Sequence, residues 1–89
     1  MEKKINVTVN GNELTFNVTT EDYNKYVNEL MPDNKIGPAK NFLVRTVDEA
    51  SKKHVTELLA LPGVEMQLAS KVIDDFLPDI QIDLGKPSA

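Results

Sequence analysis

The sequence contains no cysteine. That excludes disulfides, thiol nucleophiles and thiolate zinc sites, and it fits a reducing compartment. It has a single histidine, His54, with no further ligand at metal spacing around it, so a histidine metal centre is not expected. His54 reads instead as a structural or surface residue of a helix. The four glycines do not gather into a phosphate-binding loop: Gly11 belongs to a turn, Gly37 and Gly63 to helix junctions, and Gly85 to the tail. No window approaches the roughly 20 consecutive apolar residues of a membrane span. The N-terminus, Met-Glu-Lys-Lys followed by alternation, lacks the continuous apolar stretch of a signal peptide. Asn6-Val7-Thr8 and Asn17-Val18-Thr19 match the glycosylation sequon, but without a secretion signal they are read as ordinary strand residues.

What is present fits one small folded domain, residues 1–85, with a loose tail at 86–89. Of 89 residues, 40% are apolar and 27% charged, enough apolar surface for one core and too little for two. The net charge of −4 speaks against non-specific binding of nucleic acid. The charge is uneven: Lys35, Lys40 and Arg45 stand in residues 34–45 without an acid, and Asp74, Asp75, Asp79 and Asp83 stand in residues 74–83 without a base. This distribution suits a protein partner or self-association better than a polyanion.

Two stretches alternate with period 2, Ile5, Val7 and Val9, then Leu14, Phe16 and Val18, with Asn10-Gly11-Asn12 between them. The pattern predicts a β-hairpin with strands at 4–9 and 13–18. An Asn10-Gly11 turn of type I′ pairs Val7 with Leu14, and a Gly11-Asn12 turn of type II′ pairs Val9 with Leu14. Both put all six apolar residues on one face, so the register stays open. Four short helices follow. The first, 20–31, takes its cap from Thr19 or Thr20, carries Glu21 and Asp22 in its first turn, and has Tyr23, Tyr26, Val27, Leu30 and Met31 on one stripe before Pro32. The second, 38–47, begins at Pro38 and buries Ala39, Phe42, Leu43, Thr46 and Val47. The third, 49–61, is capped by Asp48, turns Val55, Leu58 and Leu59 inward, with His54 either beside them or at the surface, and is broken by Leu61-Pro62-Gly63. The fourth, 64–77, carries Leu68, Ala69, Val72, Ile73, Phe76 and Leu77 and stops at Pro78. Alternation returns at Ile80, Ile82 and Leu84, either as a short third strand, 80–84, or as a segment loose until a partner binds. The fold class is α+β, with helices covering one face of a small sheet.

No catalytic constellation emerges. Asp74 and Asp75 are adjacent on a helix and point about 100° apart, so they cannot form a facing carboxylate dyad. Ser51, Ser70 and Ser88 lack a neighbouring base. The chain is therefore not read as an enzyme, and no cofactor or metal is expected. Surface remains. The outer side of helix 38–47 presents Lys40, Asn41, Val44 and Arg45, and the loop before it presents Lys35 and Ile36 between Pro32 and Pro38. An apolar residue framed by cations and an amide is a candidate partner-binding patch, and an ordinary solvated face with one stray valine is its bland alternative.

Asp22-Tyr23-Asn24-Lys25, Pro32 with Asn34-Lys35, Pro38-Ala39 with Asn41-Phe42-Leu43, Arg45-Thr46-Val47, Leu58-Leu59, Pro62-Gly63, Leu68-Ala69 and Pro78-Asp79 together resemble a family of small phage tail assembly chaperones from phages and prophages of Gram-negative bacteria. The match spans nearly the whole chain and lies in the order and spacing of the pieces. The resemblance implies a non-enzymatic protein of the bacterial host cytoplasm that binds and shields the tape-measure protein, and with it tail tube protein, and that is absent from the finished virion. It carries over no site residue. Two other readings stay open: a small nucleic-acid-binding regulator of a mobile element using Lys35, Lys40 and Arg45, and a minor structural component of the tail.

Overall fold

Asn10 and Gly11 both adopt left-handed backbone conformations, with φ of 49° and 81°. Two successive positive φ values make a type I′ turn, whose twist matches that of the flanking strands. The turn selects between the two registers: β1 (Glu2–Val9) pairs antiparallel with β2 (Asn12–Thr19), setting Val7 opposite Leu14 and Ile5 opposite Phe16. In the computed structural model, which describes residues 1–85, the hairpin is followed by α1 (Thr20–Glu29), α2 (Ile36–Thr46), a 3-10 turn (Glu49–Ser51), α3 (Lys52–Leu58) and α4 (Val64–Phe76). The architecture is α+β. Residues 86–89, expected to be a loose tail, lie outside the described residues.

The alternation does what period 2 demands. Ile5, Leu14, Phe16 and Val18 are fully buried, Val7 and Val9 half-buried, and the other face of the hairpin stays polar. The helices close the apolar face. α4 packs on β1 and α2, α2 packs on β2, and α1 leans on both α2 and β2. Ala39, Phe42, Leu43, Val55, Leu68, Ala69, Val72 and Phe76 complete the core, and the Tyr26 ring lies 5.3 Å from that of Phe42.

Several boundaries differ from the expectation, each for a local reason. α1 stops at Glu29 rather than 31: its C-cap Leu30 is already extended, with ψ of 131°, and Met31, directly ahead of Pro32, is disfavoured in the helical region. Met31 and Asn34 then exchange backbone hydrogen bonds at 3.1 Å across Pro32-Asp33. The stripe of α1 is shallower than expected, with Val27 and Met31 exposed and Tyr23 and Tyr26 half-buried. α2 begins at Ile36, two residues before Pro38. Pro38 still lies in the first turn, where no intrahelical partner awaits its missing N–H. Ile36 is therefore a helix residue and not a loop tip.

The segment 49–61 is not one helix. Asp48 N–H donates to Thr15 O at 2.8 Å, and Thr15 N–H donates to Ser51 Oγ at 2.9 Å. These bonds tie residues 48–51 to the outer edge of β2, and the chain turns tightly there before α3 begins. Val55 is buried and Leu58 and Leu59 are half-buried, but His54 faces solvent, not the core. α4 ends at Phe76, and Leu77 is exposed. Of the two readings of 80–84, the short third strand is not formed: residues 79–85 carry no regular structure. Alternation supplies such a segment with an apolar side but with no hydrogen-bond partner, and no strand of the described residues lies beside it.

Candidate functional surface

α2 divides its residues between two neighbours and solvent. Ala39, Phe42, Leu43 and Thr46 face the core, and the Thr46 hydroxyl is satisfied by Phe42 O at 2.8 Å. Ile36 and Val44 are 54% and 53% exposed. With Lys40 between them they are spaced four residues apart, so the three side chains form one outward ridge along the helix. Asn41 is exposed beside that ridge, and Lys35 is exposed at the N-cap position. Met31, 55% exposed, precedes the turn that leads into Ile36, and Val27 on the adjacent α1 is 42% exposed.

Arg45 behaves differently from the other five residues of the expected patch. It turns toward α1, where its Nε donates to Asp22 Oδ1 at 3.2 Å and its Nη2 donates to the Asp22 backbone carbonyl at 3.1 Å. Sequence spacing could not show this, because the partner lies 23 residues away. Among the described residues, the cations beside the ridge that make no ion pair are Lys35 and Lys40.

A second surface was missed in the sequence. Between β1 and α4 runs a groove of about 540 Å³, lined by Val7, Val9 and Asn10 on one side and Val64, Gln67 and Lys71 on the other. Its one advance signal was the distance of Val7 and Val9 from the buried centre of the hairpin, and a groove made by two elements 55 or more residues apart leaves no local pattern. A smaller recess of about 210 Å³ holds His54 beside Asn12, Glu57 and Leu61. It brings no hydroxyl or thiol nucleophile to the imidazole.

Among the described residues no group of three or more histidine or acidic side chains converges on a point. Asp75 pairs with Lys3 at 3.8 Å and Asp74 faces solvent. Asp48 has its carboxyl held below the usual range by the Asn17 amide, which donates to Oδ1 at 3.0 Å, and then by the Ala50 N–H. Burial pushes the Tyr26 hydroxyl up, with the nearby Tyr23 adding to the effect. Both shifts arise from packing and capping. Among the described residues no helix is long and apolar enough to cross a membrane.

Comparison with known proteins places the chain in a family. A protein of Haemophilus phage HP1 (strain HP1c1), described as an uncharacterized 11.3 kDa protein in the lys 3′ region, is 30% identical over 82 residues, which is 92% of this chain and 80% of that protein. No solved structure matches. The family described as phage tail assembly chaperone matches residues 5–86, nearly the whole of the sequence, and the chain belongs to that family.

Proposed function

We propose that the protein binds the tape-measure protein of its phage in the host cytoplasm, shielding its apolar helical surface until the tail tube assembles around it, and that it is absent from the finished virion. Membership of the tail assembly chaperone family over residues 5–86 carries this reading. The tail tube protein is the second client on the same grounds. The ridge of Ile36, Lys40 and Val44, with Lys35 and Asn41 at its margins, is the docking surface. A helical client with an apolar stripe and acidic flanks sets its stripe on Ile36 and Val44 and its acids near Lys35 and Lys40. Arg45 contributes by holding α2 against α1, so that the ridge is presented on a fixed helix. The nucleic-acid reading loses one of its three cations to that ion pair, in a chain of net charge −4.

Co-expression with the tape-measure protein of the same phage tests the proposal. The expected result is a soluble complex that co-elutes in size-exclusion chromatography. Tape-measure protein that stays insoluble, with this protein eluting alone, overturns it.

A further inference from the structure

The hairpin has two edges, and among the described residues only that of β2 is met by other backbone or side-chain groups. On β2 the backbone of Thr15 points outward and is met by Asp48 and Ser51. Strand pairing alternates, so the residue opposite Thr15, which is Asn6, also points its N–H and C=O away from the hairpin. Glu2, Lys4 and Thr8 share that orientation. No backbone hydrogen bond among the described residues reaches them. The free edge of β1 thus presents a ladder of unmet donors and acceptors, a template for a further strand. Charges that discourage such pairing stand only at its start, in Glu2, Lys3 and Lys4. The rest of the edge, Ile5 to Val9, has none and borders the apolar groove against α4.

The chain carries a segment that matches this edge. Ile80, Ile82 and Leu84 are 65%, 78% and 95% exposed and alternate with Asp79, Gln81 and Asp83. In extended form, residues 79–84 span roughly 20 Å, close to the length of the seven-residue edge from Glu2 to Thr8. Added beside β1 in the register that sets Ile80, Ile82 and Leu84 level with Ile5, Val7 and Val9, in either direction, such a strand puts its three apolar side chains on the core face, toward the groove and α4; a slip of one residue would expose them, so their burial selects this register. Its two aspartates then fall on the opposite, polar face, which carries Lys4 together with Glu2 and Glu13, so the match rests on the apolar side chains and the free backbone rather than on charge. The segment is not folded back onto its own edge, and the molecule is correspondingly elongated, 59 × 29 × 22 Å, with a radius of gyration of 15.5 Å against roughly 12 Å for a compact chain of this length.

We propose that residues 79–84 of one copy add as an edge strand to β1 of a second copy, with Ile80, Ile82 and Leu84 filling the groove between β1 and α4. The proposal is independent of the client reading, because it concerns the chain alone.

Multi-angle light scattering of the purified full chain over a concentration series tests it. The wild type is expected to exceed the mass of one protomer as concentration rises. Ile82→Asp disables the tail. Asn6→Pro disables the edge, since the N–H it removes points to solvent and an edge strand tolerates proline there. Each variant is expected to raise the apparent dissociation constant at least tenfold while circular dichroism stays that of the wild type. If Asn6→Pro unfolds, Thr8→Pro blocks the same edge. An equimolar mixture of the two variants retains one intact tail and one intact edge, and it is expected to form a one-to-one heterodimer that neither forms alone. A wild type that stays monomeric overturns the proposal, including one whose tail amides are protected from exchange, because that places the strand on its own edge. Association that survives both substitutions, or a mixture that fails to associate, also overturns it.

Discussion

Asp22 and Arg45 join the first two helices through a carboxylate that does two jobs. Its Oδ1 accepts from Arg45 Nε at 3.2 Å, while its Oδ2 accepts from the backbone N–H and the hydroxyl of Thr19, at 3.0 and 2.9 Å. The Thr19 hydroxyl oxygen in turn accepts the Asp22 N–H at 3.1 Å. The capping box that starts α1 and the ion pair that ties α1 to α2 therefore share one side chain.

The consequence is an asymmetry between the partners. Asp22→Ala removes the cap contact and the ion pair together and is expected to cost about 2 kcal/mol. Arg45→Ala leaves the capping box in place and is expected to cost about 1 kcal/mol, the pair being about one-quarter exposed. Urea denaturation of both single variants and the double variant checks this. The double variant should fall below Asp22→Ala by less than the cost of Arg45→Ala alone, since the ion pair is lost in either case and only the Arg45 bond to the residue 22 carbonyl remains to be removed.

Phe42 is fully buried beside the ring of Tyr26. Phe42→Ala is expected to cost about 3–5 kcal/mol, a large share of the roughly 5–10 kcal/mol that holds a domain of this size. Phe42→Leu keeps most of the volume and should cost much less. Thermal melts of the two variants, read side by side, check that the loss follows volume and not the aromatic ring.

Much of this architecture was legible because it rests on local patterns. Alternation at Ile5–Val9 and Leu14–Val18 with Asn10-Gly11 between them specifies a hairpin, and the spacing of Ala39, Phe42 and Leu43 specifies a buried helix face. The hairpin register was not legible, because both turns satisfy the alternation and only the positive φ of Asn10 decides. The break at Ser51 depends on Thr15, 36 residues earlier, and the inward turn of Arg45 depends on Asp22. On α2 the exposure of Val44 follows from helical periodicity, whereas the place of Ile36 depended on where the helix starts. The groove beside β1 and the uncovered edge are properties of how α4 and the hairpin meet, and no window of sequence contains both.

Acid and alkali should act through different residues. The folded state holds the Asp48 carboxyl below its ordinary value of 3.8, so its contribution is present above about pH 4 and is lost as the pH falls through the lowered value. Tyr26 has the opposite sense. Its hydroxyl is held above its ordinary value of 10.0, so the folded state is unaffected below pH 10 and loses stability as the pH rises beyond it. Asp48→Asn should flatten the acid limb of a stability–pH profile, and Tyr26→Phe should flatten the alkaline limb, each leaving the other limb as in the wild type. Chemical denaturation at a series of pH values checks both.

Client binding is expected to follow the ridge of α2. Ile36 and Val44 are each more than half exposed, and neither belongs to the core cluster. Replacing both by aspartate leaves the packing of Ala39, Phe42 and Leu43 untouched. It sets two acids beside Lys40, where the proposed client brings acids of its own. A client that buries the exposed half of each side chain loses about 0.8–1.5 kcal/mol of apolar burial for each, before any repulsion is counted. The double variant should therefore bind a tape-measure fragment at least tenfold more weakly, while circular dichroism and the urea midpoint stay near those of the wild type. Lys40→Glu alone should weaken binding less, and its effect should shrink at high salt, because an exposed charge acts through screened attraction. Arg45→Ala belongs in the same series as a control for the frame: it loosens α2 from α1 without removing a ridge side chain. A folded Ile36→Asp, Val44→Asp variant that binds as well as the wild type would move the client site off this helix, with the groove between β1 and α4 as the next surface to test.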